Sequence, residues 1–94
     1  MTRTQNALPL KVYWQPGCSS CLKTKEFLLE HGVTFESINV LEDPDGFKEL
    51  EILGLRLVPI VARGSDWANG AVFRDVARGA GFDWQPHALL DPGI

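Results

Sequence analysis

The chain has 94 residues, of which 45% are hydrophobic and 22% charged, with a formal net charge of −3. That length admits one domain with one modest core, and the apolar fraction is that of a globular protein rather than a disordered one. The charge balance offers no basic patch for nucleic acid or an anionic membrane, and no apolar run approaches the roughly 18 residues of a membrane span. Two cysteines, Cys18 and Cys21, are too few for a disulfide framework. Met1 to Asn6 lead into no apolar signal-like stretch, so the expected compartment is the reducing cytoplasm. A structural disulfide is not expected there, and two cysteines three apart need a chemical reason.

Residues 1–8 are polar and read as a disordered start. Leu10 to Trp14 is a β-rich run ended by Gln15-Pro16-Gly17. Cys18 to His31 reads as a helix whose apolar positions Cys18, Cys21, Leu22, Leu28 and Leu29 share one face, with Gly32 as its stop. Val33 to Val40 reads as a second strand, so the first half is a βαβ unit with parallel strands. Asp43-Pro44 forms an N-cap with proline at the first helical position, and Phe47, Leu50 and Leu53 give that helix an apolar stripe up to Gly54. Arg56 to Ala62 reads as a strand carrying Pro59, and Gly64-Ser65-Asp66 turns it into a short return at Trp67-Ala68. Asn69-Gly70 is a turn, Ala71 to Arg78 a third helix, and Gly79-Ala80-Gly81 its end. Residues 82–94, with Trp84, Pro86, Leu89, Leu90 and Pro92, read as an irregular segment packed on the body. The order β-α-β-α-β-β-α predicts a single domain over 1–94: a four-stranded mixed sheet flanked by helices.

Cys18-Ser19-Ser20-Cys21 is a CxxC motif between a predicted strand and a predicted helix. A cysteine at a helix N-terminus faces free backbone N–H groups and the positive end of the helix dipole, which lower the thiol pKa. Comparable motifs lie at about 3.5 to 7, against about 8.5 for a free cysteine. Cys18 is thus the candidate nucleophile and Cys21, one turn further on, the candidate resolving thiol. Lys23 and Lys25 add positive charge near the first turn. A zinc site would need two further ligands, and His31 lies about 15 Å of helix rise from Cys21 at roughly 1.5 Å per residue, so no metal is expected. A purely structural CxxC is the bland alternative. Tyr13 and Trp14 read as packing residues on opposite sheet faces, with Tyr13 a weak candidate beside the thiols. Trp67 and Trp84 read as core caps, with the floor of a partner groove as the alternative.

These residues resemble the glutaredoxin-like proteins of the thioredoxin superfamily. Three motifs carry the resemblance across roughly residues 10–81: Val12-Tyr13-Trp14-Gln15-Pro16-Gly17-Cys18-Ser19-Ser20-Cys21, then Arg56-Leu57-Val58-Pro59, then Asn69-Gly70 before the last helix. The resemblance implies a thioredoxin/glutaredoxin-like fold and a cis bond between Val58 and Pro59, where sequence physics alone leaves that bond trans. It implies that Val58 presents its backbone to a bound cysteinyl group as an added strand would. Arg56 would hold a glutathione carboxylate through its fork. Gln15 stands where many glutaredoxins have a lysine with the same task. Gly70 stands in a reduced version of the turn that receives the γ-glutamyl end of glutathione. Asp75 lies two places later than the acid of that pattern, which on a helix rotates it by about 200°.

The expected function is thiol–disulfide exchange on a disulfide-bearing protein or a glutathione mixed disulfide. No tightly bound cofactor, nucleic acid or membrane is expected, and a monomer is. Glutathione or a flavoprotein reductase would supply electrons. The alternative is an iron–sulfur-cluster or glutathione-binding module of the same fold with little oxidoreductase activity, and a redox-silent interaction domain is a third reading.

Overall fold

The computed structural model describes residues 9–82. The expected disordered start (1–8) and the packed C-terminal segment, with Trp84, Pro86, Leu89, Leu90 and Pro92, lie outside the described residues. Seven elements run in the order β1 (Leu10–Trp14), α1 (Ser19–Glu30), β2 (Glu36–Asn39), α2 (Pro44–Ile52), β3 (Ile60–Arg63), β4 (Asp66–Asn69) and α3 (Phe73–Ala80). The sheet order is β2-β1-β3-β4. β2 is parallel to β1, while β3 is antiparallel to both β1 and β4. This is the four-stranded mixed sheet with flanking helices expected from the sequence. No helix among the described residues is long and apolar enough to cross a membrane.

Alternation along β1 sends Leu10 and Val12 to one sheet face and Tyr13 to the other. The first face gathers Leu10, Val12, Phe27, Leu28, Val61, Val76 and Ala77, which packs α1 and α3 against the sheet. The second gathers Tyr13, Ile38, Val40, Leu50, Ile60 and Ala62 under α2. Helix α2 begins as its sequence dictates: the Asp43 carboxylate accepts from the N–H groups of Asp45 and Gly46, and Pro44 opens the helix. In its stripe Leu50 is buried, Leu53 is half-buried and Phe47 is exposed.

Four boundaries and faces differ from the sequence reading. The buried side of α1 is Cys21, Thr24, Phe27 and Leu28, whereas Leu22 and Leu29 are exposed. Each of these leucines follows a buried residue, and one step along a helix rotates the side chain by about 100°. Strand β2 starts three residues later than expected because the Val33 N–H closes the end of α1 on the Leu28 carbonyl at 3.0 Å instead of joining the ladder. Strand β3 starts after Pro59, which has no N–H to give a ladder. Helix α3 is shifted two residues downstream, since the Asn69 side chain and carbonyl hold the N–H groups of Ala71 and Val72 in a turn. Gly81, at φ 90°, ends that helix.

Candidate active site

Strand β1 delivers the chain to the exposed Gln15-Pro16-Gly17 loop, where Gly17 at φ 83° takes a backbone conformation that side chains disfavour. Cys18 then occupies the N-cap of α1. Its Sγ accepts from the Cys21 N–H at 3.1 Å, the role that a serine or aspartate oxygen usually fills. Ser20 Oγ lies 3.6 Å from the same sulfur. No acidic residue sits in the first turn of α1, so no carboxylate neutralises the positive end of the helix there.

Cys18 and Cys21 are joined as a disulfide with Cα atoms 5.2 Å apart. The two sulfur positions differ in access. Cys18 is half-buried at the mouth of the turn, whereas Cys21 is 1% exposed beneath it. An incoming sulfur nucleophile or disulfide can therefore reach Cys18 and not Cys21.

Behind the pair, three chain segments meet. Thr24, fully buried one turn after Cys21, has a single hydroxyl proton within reach of two carbonyl oxygens: Gly70 at 2.7 Å and Ser20 at 2.9 Å. The Gly70 N–H donates to the Pro59 carbonyl at 2.8 Å. A Cβ on Gly70 would lie 2.9 Å from the Pro59 ring and 3.1 Å from the Thr24 methyl, so glycine is the residue that lets these backbones touch. The Val58–Pro59 bond is cis.

The structure thus ties Pro59 and Gly70 to the cysteine helix. Val58 is half-buried next to Pro59, while Arg56 and Gln15 are exposed. Among the described residues, neither Arg56 nor Gln15 is hydrogen-bonded to that cluster. Asp75 accepts from Arg78 at 3.3 Å and lines a cavity of about 720 Å³ between β4 and α3, with Trp67 and Arg78. Neither cysteine lines that cavity. Trp67 is 47% exposed at its edge, so it does not cap the core.

The two residues before the loop also separate. Trp14 carries the Lys25 ammonium 3.8 Å from its ring centroid, a cation–π contact. Tyr13 points to the α2 face and donates to Glu49 at 2.8 Å, so it is not beside the thiols. Burial, then the hydrogen bond to Glu49 and its charge, push the Tyr13 phenol far above the ordinary tyrosine range. Thr24 was absent from the sequence reading. Its signal was a hydroxyl residue three after Cys21, on the arc that Phe27 and Leu28 continue.

The sequence profile of the glutaredoxin family matches residues 10–66, more than half of the chain. The chain belongs to the glutaredoxin family. Among curated glutaredoxin-like relatives, it is 31% identical over 52 residues to the glutaredoxin-like protein NrdH of Lactococcus lactis, covering 55% of this chain and 72% of that one. It is 39% identical over 46 residues to the uncharacterized protein YusI of Bacillus subtilis, covering 49% of this chain. This chain spans about two fifths (39%) of the length of YusI. Among solved structures it is similar to the glutaredoxin-like NrdH-redoxin of Escherichia coli, with a TM-score of 0.68, 28% identity and coverage of 76% and 93% of the two chains. A mutant of the thioredoxin-like protein BC3987 superposes with a TM-score of 0.73 at 24% identity, covering 79% and 96%, and shows the shared fold. The glutaredoxin fold and the CxxC redox disulfide are thus those of an NrdH-type redox protein.

Proposed function

We propose that the chain is a dithiol thiol–disulfide oxidoreductase in which Cys18 attacks and Cys21 resolves. The observation that carries this reading is the asymmetry of the pair: a reachable sulfur at the helix N-cap and a covered one within bonding reach. In the reduced protein the Cys21 N–H and the helix N-terminus favour the Cys18 thiolate over the thiol. That thiolate attacks one sulfur of a substrate disulfide, which forms a mixed disulfide and expels the other substrate sulfur as a thiolate. Cys21, once deprotonated, then attacks Cys18 Sγ and releases the second substrate thiol. The Cys18–Cys21 disulfide remains, and the substrate has gained two electrons. The cytoplasm, a monomer and the absence of a tightly bound cofactor belong to this reading.

The substrate class is a protein disulfide, received in extended form along the Val58 backbone. For the electron donor, the surroundings favour a flavoprotein reductase over glutathione. Gln15 carries no charge to pair with a glutathione carboxylate, and Asp75 is bonded to Arg78 beside a cavity that neither cysteine lines. The Escherichia coli relative is described as glutaredoxin-like with a thioredoxin-like activity profile, which supports the same choice. Arg56 and Gly70 remain the residues that glutathione would use if it were the donor.

The test is reduction of insulin by dithiothreitol and of hydroxyethyl disulfide by glutathione, with the wild type, Cys18→Ser and Cys21→Ser. The expected outcome is insulin turnover by the wild type, none by Cys18→Ser, and accumulation of a mixed disulfide with Cys21→Ser. Full activity of Cys21→Ser with glutathione would replace this mechanism with a monothiol one.

A further inference from the structure

We propose that Thr24 is a positioning residue for disulfide exchange; the inference rests on the reading of Cys18–Cys21 as the reacting pair. Its hydroxyl holds the Gly70–Pro59 backbone in register with the CxxC turn, so that a substrate chain laid along Val58 presents its sulfur to Cys18.

Three observations support this role. Thr24 is a polar side chain with no exposed surface, set in an otherwise apolar face of α1. A buried hydroxyl needs a partner, and its partners here are backbone carbonyls from the two places that matter. Ser20 lies between the two cysteines, and Gly70 is bonded in turn to Pro59. The same side chain also fixes distance. Its methyl lies 3.1 Å from where a Gly70 Cβ would stand, so it closes the space beside Gly70 while the hydroxyl holds the Gly70 carbonyl.

A valine would fill about the same space on the buried side of α1. It could not direct the Gly70 carbonyl, because it has no proton to give. The hydroxyl therefore supplies direction rather than bulk. Because the contact is made to backbone, it places the Val58–Pro59 segment whatever side chains the neighbouring loop carries. A shift of that segment relative to Ser20 changes the distance from the receiving backbone to Cys18, which affects how well a disulfide is held more than how fast a held one reacts.

The experiment compares the wild type with Thr24→Val and Thr24→Ser in insulin reduction driven by dithiothreitol, with circular dichroism as the check of folding. Thr24→Val is expected to raise KM for insulin about five- to tenfold, with kcat within about twofold, the pattern of lost binding common to ground and transition states. Thr24→Ser, which keeps the proton, is expected to return KM to within about twofold of the wild type. If Thr24→Val does not fold, Thr24→Ala removes the same hydroxyl with a better helix former and is expected to give the same rise. An unchanged KM in the variant lacking the hydroxyl, a fall confined to kcat, or a failure of serine to rescue would overturn the proposal. Silence of the wild type on insulin would instead overturn the oxidoreductase reading and, with it, the premise of this role.

Discussion

On the face covered by α1 and α3, the buried hydroxyl is that of Thr24, and its partners are the Gly70 and Ser20 carbonyls. On the face covered by α2, the buried hydroxyl is that of Tyr13, and its partner is the Glu49 side chain, which also receives the Lys11 ammonium at 3.2 Å. The first arrangement joins three chain segments behind the cysteines. The second joins one strand to one helix, and its group belongs to the core cluster under α2. Each face also carries a glycine with no room for a Cβ: Gly70 against Pro59 and Thr24, and Gly46 of α2 against Ile38. Similar packing devices thus stand behind the cysteines on one face and beneath α2 on the other.

Four substitutions test that contrast. The largest loss of stability is expected from Leu28→Ala, which empties the centre of the α1 face, where Leu28 has no exposed surface. Urea unfolding should show a loss of about 2–5 kcal/mol. A loss below about 1 kcal/mol would mean that this face collapses to fill the space, and its rigidity could not then be held responsible for placing the cysteines.

Next come the two glycines. Gly46→Ala and Gly70→Ala should each cost about 1–3 kcal/mol, because a methyl is forced into occupied space. Their kinetics should separate them. Gly70→Ala is expected to raise KM for insulin, while Gly46→Ala leaves it unchanged in the folded protein. Equal kinetic effects from both would erase the distinction between the faces.

The smallest effect is expected from Tyr13→Phe, about 1 kcal/mol at neutral pH from the lost hydrogen bond, with no change in disulfide exchange. Its sign with pH is informative. The folded state holds the phenolic proton more tightly than the unfolded chain, whose tyrosine titrates near pH ~10. The stability from this proton is therefore full below about pH 10 and falls as pH rises toward the higher folded-state value. Denaturation measured from pH 8 upward should show that alkaline decline in the wild type and a shallower one in Tyr13→Phe. Parallel declines would show that other groups account for it.

Much of the site was legible along the chain because its signals are local. A proline-glycine loop, a cysteine at a helix start and a second cysteine one turn later lie within six residues, Pro16 to Cys21. The N-cap at Asp43 and the stop at Gly81 are likewise set by neighbours in sequence. Where the reading failed, the deciding partner was distant. Leu22 and Leu29 look like core residues until the position of the sheet selects an arc of α1 that includes Thr24 instead. Tyr13 packs as expected, and only its weaker candidacy beside the thiols falls, since the pleat sends it to Glu49, 36 positions away. Trp67 looks like a core cap until the cavity beside α3 leaves it at the rim.

The element order, the CxxC pair and the helix start on which it sits follow from the chain itself, because capping, turn chemistry and CxxC spacing act within a single turn of chain. Tertiary structure alone decided what stands behind that pair. The hydrogen bonds of Thr24 to Gly70 and of Gly70 to Pro59 span 46 and 11 positions, and a buried hydroxyl acquires a role only when folding brings a distant carbonyl to it.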